Sequence, residues 1–365
     1  MTDRRRANLS DSDTQKADTS PAAKPTFLDE NLQEQDFLDR QSDPYDKEEI
    51  AWSSDAAKDS SSEAERPIRG RLRDGSIEEK VGNYIFTVGY PGSGKTVFQS
   101  FLTYYINHSP DFRSQPVLDP EDVQGWAAQA TYNDWITRWH RGEFPNPNAF
   151  IEDDIQELSF IVNPKRGVTS PLRFSFLEVA GEFLRQVIAD EHQDPTLVET
   201  LRRYLENSRL QFLLVLVIDP ARDDDRENDL LFQNFFTFLD VNCPDIYSRS
   251  SLALLISKPN EALGKLKNAK PGLRHHAELR GELCEDYIET FLPATYNRLD
   301  TWIPQERATV MSLNIGEIDD ARETPRIVKP DMRDISKIFS WIYSNFTKEK
   351  LGPKWWQRII AWIRE

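Results

Sequence analysis

The sequence predicts an α/β protein built on a mainly parallel six-stranded sheet, with one antiparallel hairpin strand and helices on both faces. Three observations predict it. From Tyr84 onward, short apolar runs alternate with longer helical stretches, as strands joined by crossover helices do. Two of those runs, 158–162 and 172–177, are separated by the turn-rich Asn163-Pro164-Lys165-Arg166-Gly167, which is too short for a parallel crossover and predicts a hairpin. A glycine-rich turn follows the first run and opens the first helix.

The elements follow in order. Residues 84–88 read as a buried strand and 95–107 as the next helix. An insertion of about 109–150 precedes the hairpin strands 158–162 and 172–177. A helix over 182–205 leads to the strand 213–218, a helix over 227–239 to the strand 252–256, and a helix over 277–299 to the last strand, 308–313. The last core helix is 334–345.

Residues 1–80 are rich in Ser, Asp, Glu, Lys and Pro without sustained periodicity, and are expected to form a disordered acidic tail that buries too little apolar area to offset its ordering entropy. Phe27-Leu28-Asp29 recurs there as Phe37-Leu38-Asp39, followed by Tyr45, Ile50 and Trp52. These are either anchors for a protein partner or chance in a low-complexity segment. The domain proper spans 81–347. Residues 348–365 end in an amphipathic helix with Trp355, Ile359 and Trp362 on one stripe and Trp356, Ile360 and Ile363 beside it. It is expected to dock on the core or a partner; Lys348, Lys350, Lys354, Arg358 and Arg364 leave peripheral membrane contact through 354–365 as the alternative.

A chain of 365 residues with 38% hydrophobic residues can build a substantial core, and a formal net charge of −16 argues against general binding to nucleic-acid phosphates. Cys243 and Cys284 stand far apart with no Cys/His cluster, which fits a reducing cytoplasm and supports neither a disulfide framework nor a zinc site. No secretory signal or membrane-length apolar run is read from the sequence.

The chemistry lies in Gly89-Tyr90-Pro91-Gly92-Ser93-Gly94-Lys95-Thr96, followed by Val97. This is G-x-x-x-x-G-K-[ST] between a strand and a helix, the phosphate-binding P-loop. Amide N–H groups at the helix start and the helix dipole favour an anion. The glycines allow close backbone approach and positive φ. Lys95 is then the charge on the β- and γ-phosphates of GTP or ATP, and the Thr96 hydroxyl a ligand of Mg²⁺.

The hairpin's second strand ends in Phe176-Leu177-Glu178-Val179-Ala180-Gly181-Glu182, which resembles the Ras-like, translation-factor-related GTPases, whose strand ends in Asp-x-x-Gly. Ser257-Lys258-Pro259-Asn260 stands where that family reads the base, and Ser312-Leu313-Asn314 where it has its Ser-Ala-Lys loop. The stretch 132–148, with Trp135 and Trp139, is similar to the bacterial double-GTPases and related conflict-system G domains. The resemblance implies that Glu178 orders the Mg²⁺ shell, Gly181 senses the γ-phosphate, Glu182 stands where the water-orienting Gln would be, and Ser257, Lys258, Asn260 and Ser312 surround the base. Three residues depart from the pattern: Glu178 and Asn260 each replace Asp, and Asn148 stands where the switch Thr is sought.

The function expected is a nucleotide-dependent switch or regulatory NTPase, with slow hydrolysis assisted by Lys95, Glu178 and Glu182. A non-hydrolysing nucleotide-bound scaffold and a small-molecule P-loop kinase are the alternatives. Asp219 either faces the nucleotide from its strand end or caps the next segment. His275-His276 is expected in solvent without a metal, and Trp126, Trp135 and Trp139 are expected to pack the insertion on the core.

Overall fold

In a computed structural model, the chain divides into two units, Met1–Arg66 and Pro67–Glu365. The structure describes residues 77–117, 123–146, 155–165, 170–179, 195–222, 224–302, 307–321 and 324–351. All belong to the second unit.

Nine strands and nine α-helices are formed by these residues: β1 (Gly82–Val88), α1 (Lys95–His108), β2 (Phe112–Pro116), α2 (Val123–His140), β3 (Gln156–Pro164), β4 (Leu172–Glu178), α3 (Pro195–Glu206), β5 (Leu210–Ile218), α4 (Asp225–Asn242), α5 (Ile246–Arg249), β6 (Ser250–Ile256), α6 (Pro259–Ala269), α7 (Glu282–Phe291), α8 (Pro293–Trp302), β7 (Ala308–Ser312), β8 (Gly316–Asp319), β9 (Arg326–Pro330) and α9 (Met332–Thr347). The main sheet runs β2-β3-β4-β1-β5-β6-β7, and β8-β9 forms a separate hairpin. β1 pairs in parallel with β4 and β5, β6 with β5 and β7. The expected antiparallel pair is β3 with β4, Leu158 facing Phe176 and Phe160 facing Phe174.

The sheet has seven strands where six were expected. The additional one, β2, lies in the insertion and pairs antiparallel with β3 at the sheet edge. Its sequence, Phe-Arg-Ser-Gln-Pro, has one large apolar residue and ends in proline, a composition suited to an edge and weak as a strand signal.

Both faces of the sheet are covered because the central strands are apolar at successive positions. On one face Phe86, Val88, Leu214 and Leu216 pack with Phe232 and Phe235 of α4, Leu201 and Tyr204 of α3, and Tyr287 of α7. On the other, Ile85, Leu213 and Val215 pack with Phe98 and Phe101 of α1, Trp135 and Trp139 of α2, and Ile335 and Phe339 of α9. Trp135 and Trp139 do pack the insertion on the core; Trp139 stacks on Phe101 with centroids 4.4 Å apart and donates its indole N–H to Ser100 Oγ at 3.0 Å. The side chain of Trp126 lies outside the described residues.

Two further differences have local causes. The helix expected over 277–299 is broken into α7 and α8, because Pro293 has no N–H for the ladder and its ring opposes the preceding turn. Residues 77–80, read as the end of the tail, lie on the domain: Ile77 is buried, Glu78 pairs with Arg203 at 2.7 Å and Lys80 with Glu157 at 3.0 Å. No helix among the described residues is long and apolar enough to cross a membrane.

Candidate functional site

The parallel strands β1, β4, β5, β6 and β7 all run in one direction, so their carboxyl ends share one edge. Val88 faces Leu216, Ile218 faces Ile256, and Ile256 faces Ser312. That register brings the loop 89–96, the end of β4, Asp219, Ser257–Asn260 and Ser312 to one edge, where ligands bind in open α/β sheets.

The loop has the backbone its glycines predict. Gly92 is at φ 76° and Gly94, the cap of α1, at φ 97°. Gly89 has a different reason: a Cβ there would lie 2.6 Å from the Val217 carbonyl oxygen of β5 and 2.7 Å from Ser93 Oγ. Lys95 is buried, and its Nζ donates to the carbonyls of Gly89 at 2.8 Å and Tyr90 at 2.9 Å. The ammonium therefore lies across the loop it belongs to. Ser93 is fully buried, and its hydroxyl has no hydrogen-bond partner among the described residues. Thr96 and Val97 are half-buried and Pro91 is exposed.

Tyr90 anchors the loop to the neighbouring segment. Its hydroxyl donates to the Glu227 carbonyl at 3.2 Å, and the Arg222 guanidinium lies 4.0 Å over its ring while pairing with the Glu227 carboxylate. Arg222 and Glu227 lie in the segment between β5 and α4 and the first turn of α4, respectively. Their contact with Tyr90 spans well over a hundred residues, and no local spacing signals it.

The segment that follows β6 is ordered through β5. Ser257 Oγ donates to the Ile218 carbonyl at 2.7 Å, and its Cβ lies 3.4 Å from the Cβ position of Gly94. Lys258 takes φ 49° as the cap of α6 and pairs through Nζ with Asp219 Oδ1 at 2.8 Å. Asp219 also accepts from Ala221 N at 3.0 Å, the capping role weighed for it, and is only 8% exposed at its side chain. Asn260 is exposed in the first turn of α6, next to Glu261. Ser312 is turned inward and donates to the Leu279 carbonyl at 2.9 Å, while Asn314 N donates to Asp334.

Glu178 ends β4 opposite Gln156, with its side chain outside the described residues. Asn148, Gly181, Glu182 and 352–365 also lie outside them, as do all the apolar anchors of the tail. His275 and His276 stack on each other in an exposed turn. Among the described residues, no cluster of three His, Cys, Asp or Glu could hold a metal.

The sheet and the G-x-x-x-x-G-K-[ST] loop between β1 and α1 together have the form of a P-loop α/β domain. No protein-family model matches the chain, and no curated protein matches it in sequence. Among solved structures it is similar to the signal recognition particle receptor SRb-GTP/SRX complex from Chaetomium thermophilum, at 14% identity and a TM-score of 0.33, over 73% of this chain and 99% of that one. That likeness is too distant to carry a function.

Proposed function

We propose that the chain is a nucleotide-dependent switch that binds GTP or ATP with Mg²⁺ on Gly89–Thr96 and hydrolyses it slowly. The observation that carries the proposal is the loop itself: a positive-φ, glycine-lined cradle at a helix start, with a buried ammonium that donates to two loop carbonyls and a buried hydroxyl with no partner among the described residues. These groups fit a phosphate chain. Gly89 supports the same fit, since any side chain there would strike Val217.

Lys95 then exchanges its two carbonyl bonds for β- and γ-phosphate oxygens. Thr96 and Glu178 would hold Mg²⁺, which when bound supplies positive charge where the transferred group gains negative charge. Gly181 would sense the γ-phosphate and Glu182 would meet the attacking water. Ser257, Lys258, Asn260 and Ser312 are the proposed base-side residues, with Asp219 holding Lys258 in place. The chain is proposed to act in the cytoplasm, its tail or 354–365 reaching a protein partner, with the bacterial conflict-system G domains as the family it resembles.

Single-turnover phosphate release from GTP and from ATP, with Mg²⁺ or with a chelator, tests the reading. Release that needs Mg²⁺ and disappears in Lys95→Ala supports it. Tight binding without release assigns the scaffold instead, and no binding of either triphosphate removes the site.

A further inference from the structure

A second constellation lies at the opposite edge of the sheet, where β5, β6 and β7 begin. An open cleft of about 250 Å³ is lined there by Arg209, Arg249, Arg307, Lys348 and Ser250, with no carboxylate among the described residues of its lining. None of the four cations forms a salt bridge with a described residue, on a chain whose formal net charge is −16. Like charges brought together without a counter-charge repel, so the arrangement is unfavourable as it stands.

Arg249 is the most informative of the four. Its guanidinium is half-buried, donating to the carbonyls of Leu210 and Leu205, while its Nε has no hydrogen-bond partner among the described residues. Burial lowers its pKa, with opposing contributions from Cys243 and Asp245. A half-buried charge satisfied only by neutral acceptors is costly unless an anion joins it. Ser250 is 1% exposed and its Oγ also lacks a partner. The floor is fixed around them: Ser251 Oγ donates to Asn345 Oδ1 at 2.9 Å and Gln211 Nε2 to the Asn345 carbonyl at 3.2 Å.

We propose that this cleft is a binding site for a phosphate group, held by the Arg209, Arg249 and Arg307 guanidinium groups and Lys348, with the Ser250 hydroxyl donating to it. Guanidinium forks match phosphate oxygens, and the cleft is smaller than drug-sized pockets, which suits one phosphate with at most a short organic stem. The site is separate from the nucleotide loop. β5 runs from Leu210 at this cleft to Ile218 beside the loop, about 26 Å at ~3.3 Å per residue. The proposal does not depend on nucleotide binding at the other edge.

The test titrates the full chain carrying Lys95→Ala, so that the glycine-rich loop does not take the anion, with sodium phosphate against sodium chloride at matched ionic strength. The readouts are calorimetry and the melting temperature. A saturable phosphate-specific effect is expected, weakened at least tenfold in Arg209→Ala/Arg307→Ala. Arg249 is left intact because it also holds backbone carbonyls; Ser250→Ala, the smaller change, should weaken binding in the same direction. Phenyl phosphate binding more tightly than phosphate assigns a phosphate monoester, and equal binding assigns the free ion. The proposal is overturned if phosphate acts no differently from chloride, if the double variant binds it unchanged, or if only an oligoglutamate peptide binds.

Discussion

Lys95 is already bonded before any ligand arrives, to Gly89 O and Tyr90 O. Triphosphate affinity is therefore a difference between phosphate oxygens and two carbonyls. Hydrogen bonds to a charged group contribute about 1.5–3 kcal/mol, so Lys95→Ala should weaken triphosphate binding roughly ten- to a hundredfold or more while the fold survives. Fluorescent-triphosphate titration beside far-UV circular dichroism checks both halves. Asn260 carries the second prediction at this scale. Its carbonyl can accept one guanine proton, but its amide is a donor facing a donor. Wild-type preference for GTP over ATP should stay below about a hundredfold, and Asn260→Asp should raise it, by competition titration. A high preference lost in Glu261→Gln instead would move the reading one residue along. At this scale the glycine-rich loop was legible because its spacing is local. The clasp of Tyr90 by Arg222 and Glu227 was not, nor the Lys258–Asp219 pair, since both depend on which strands become neighbours.

Elements were legible where they are apolar and long. β1, β3, β4, β5, β6 and β7 all appear where the sequence places them, as do α1, α4 and α9. The pieces that escaped are the edge strand β2, the helix α2 inside the insertion, the four-residue α5, α6, and the β8–β9 hairpin, where Ile318 and Val328 face solvent. That hairpin is held by the buried Ile327 and by close backbone contacts. Ile327 N donates to Gly142 O at 2.8 Å, and Gly142 and Gly316 both sit at positive φ against its backbone. A Cβ on Gly316 would lie 1.9 Å from the Lys329 carbonyl oxygen. Gly316→Ala should therefore cost at least about 1–3 kcal/mol in urea unfolding, from overpacking together with the strained φ. The start of the domain gives a paired test. Deleting 1–75 should leave the melting temperature nearly unchanged, because Ile77, Glu78 and Lys80 keep their contacts. Deleting 1–80 removes the buried Ile77, a side chain worth about 1.5–3 kcal/mol, and should lower it by several degrees.

Across the whole molecule, buried weak acids govern behaviour in base. Burial pushes the Cys243 thiol up to about 12 and the Cys284 thiol up to about 11, and burial followed by the Glu157 charge raises the Tyr84 and Tyr204 phenols above their usual range. The folded state holds these protons after the unfolded chain has lost them. Their contribution is complete below the unfolded thiol value of 9.0 and is lost as pH rises toward the folded values. The melting temperature should fall steadily between about pH 9 and 12, with no slope from these groups below about pH 8. Thiol-reactive probes should label neither cysteine at pH 8 until the chain unfolds, since both are buried.

The central pairing of β1 with β5 sets the order in which this chain can mature. Gly82–Val88 emerges more than a hundred residues before its register partners Leu210–Leu216, the Val217 carbonyl against Gly89, and Ser257 beside Gly94. Until they do, the glycine-rich loop has its full sequence and no walls. The long-range closure of β1 on β5 makes acquisition of the native state slow relative to local helix formation. The proposed loop site gains its walls only once β6 has cleared the exit tunnel, so the apolar β1 and α1 stay without their β5 and β6 partners while roughly 160 further residues are made.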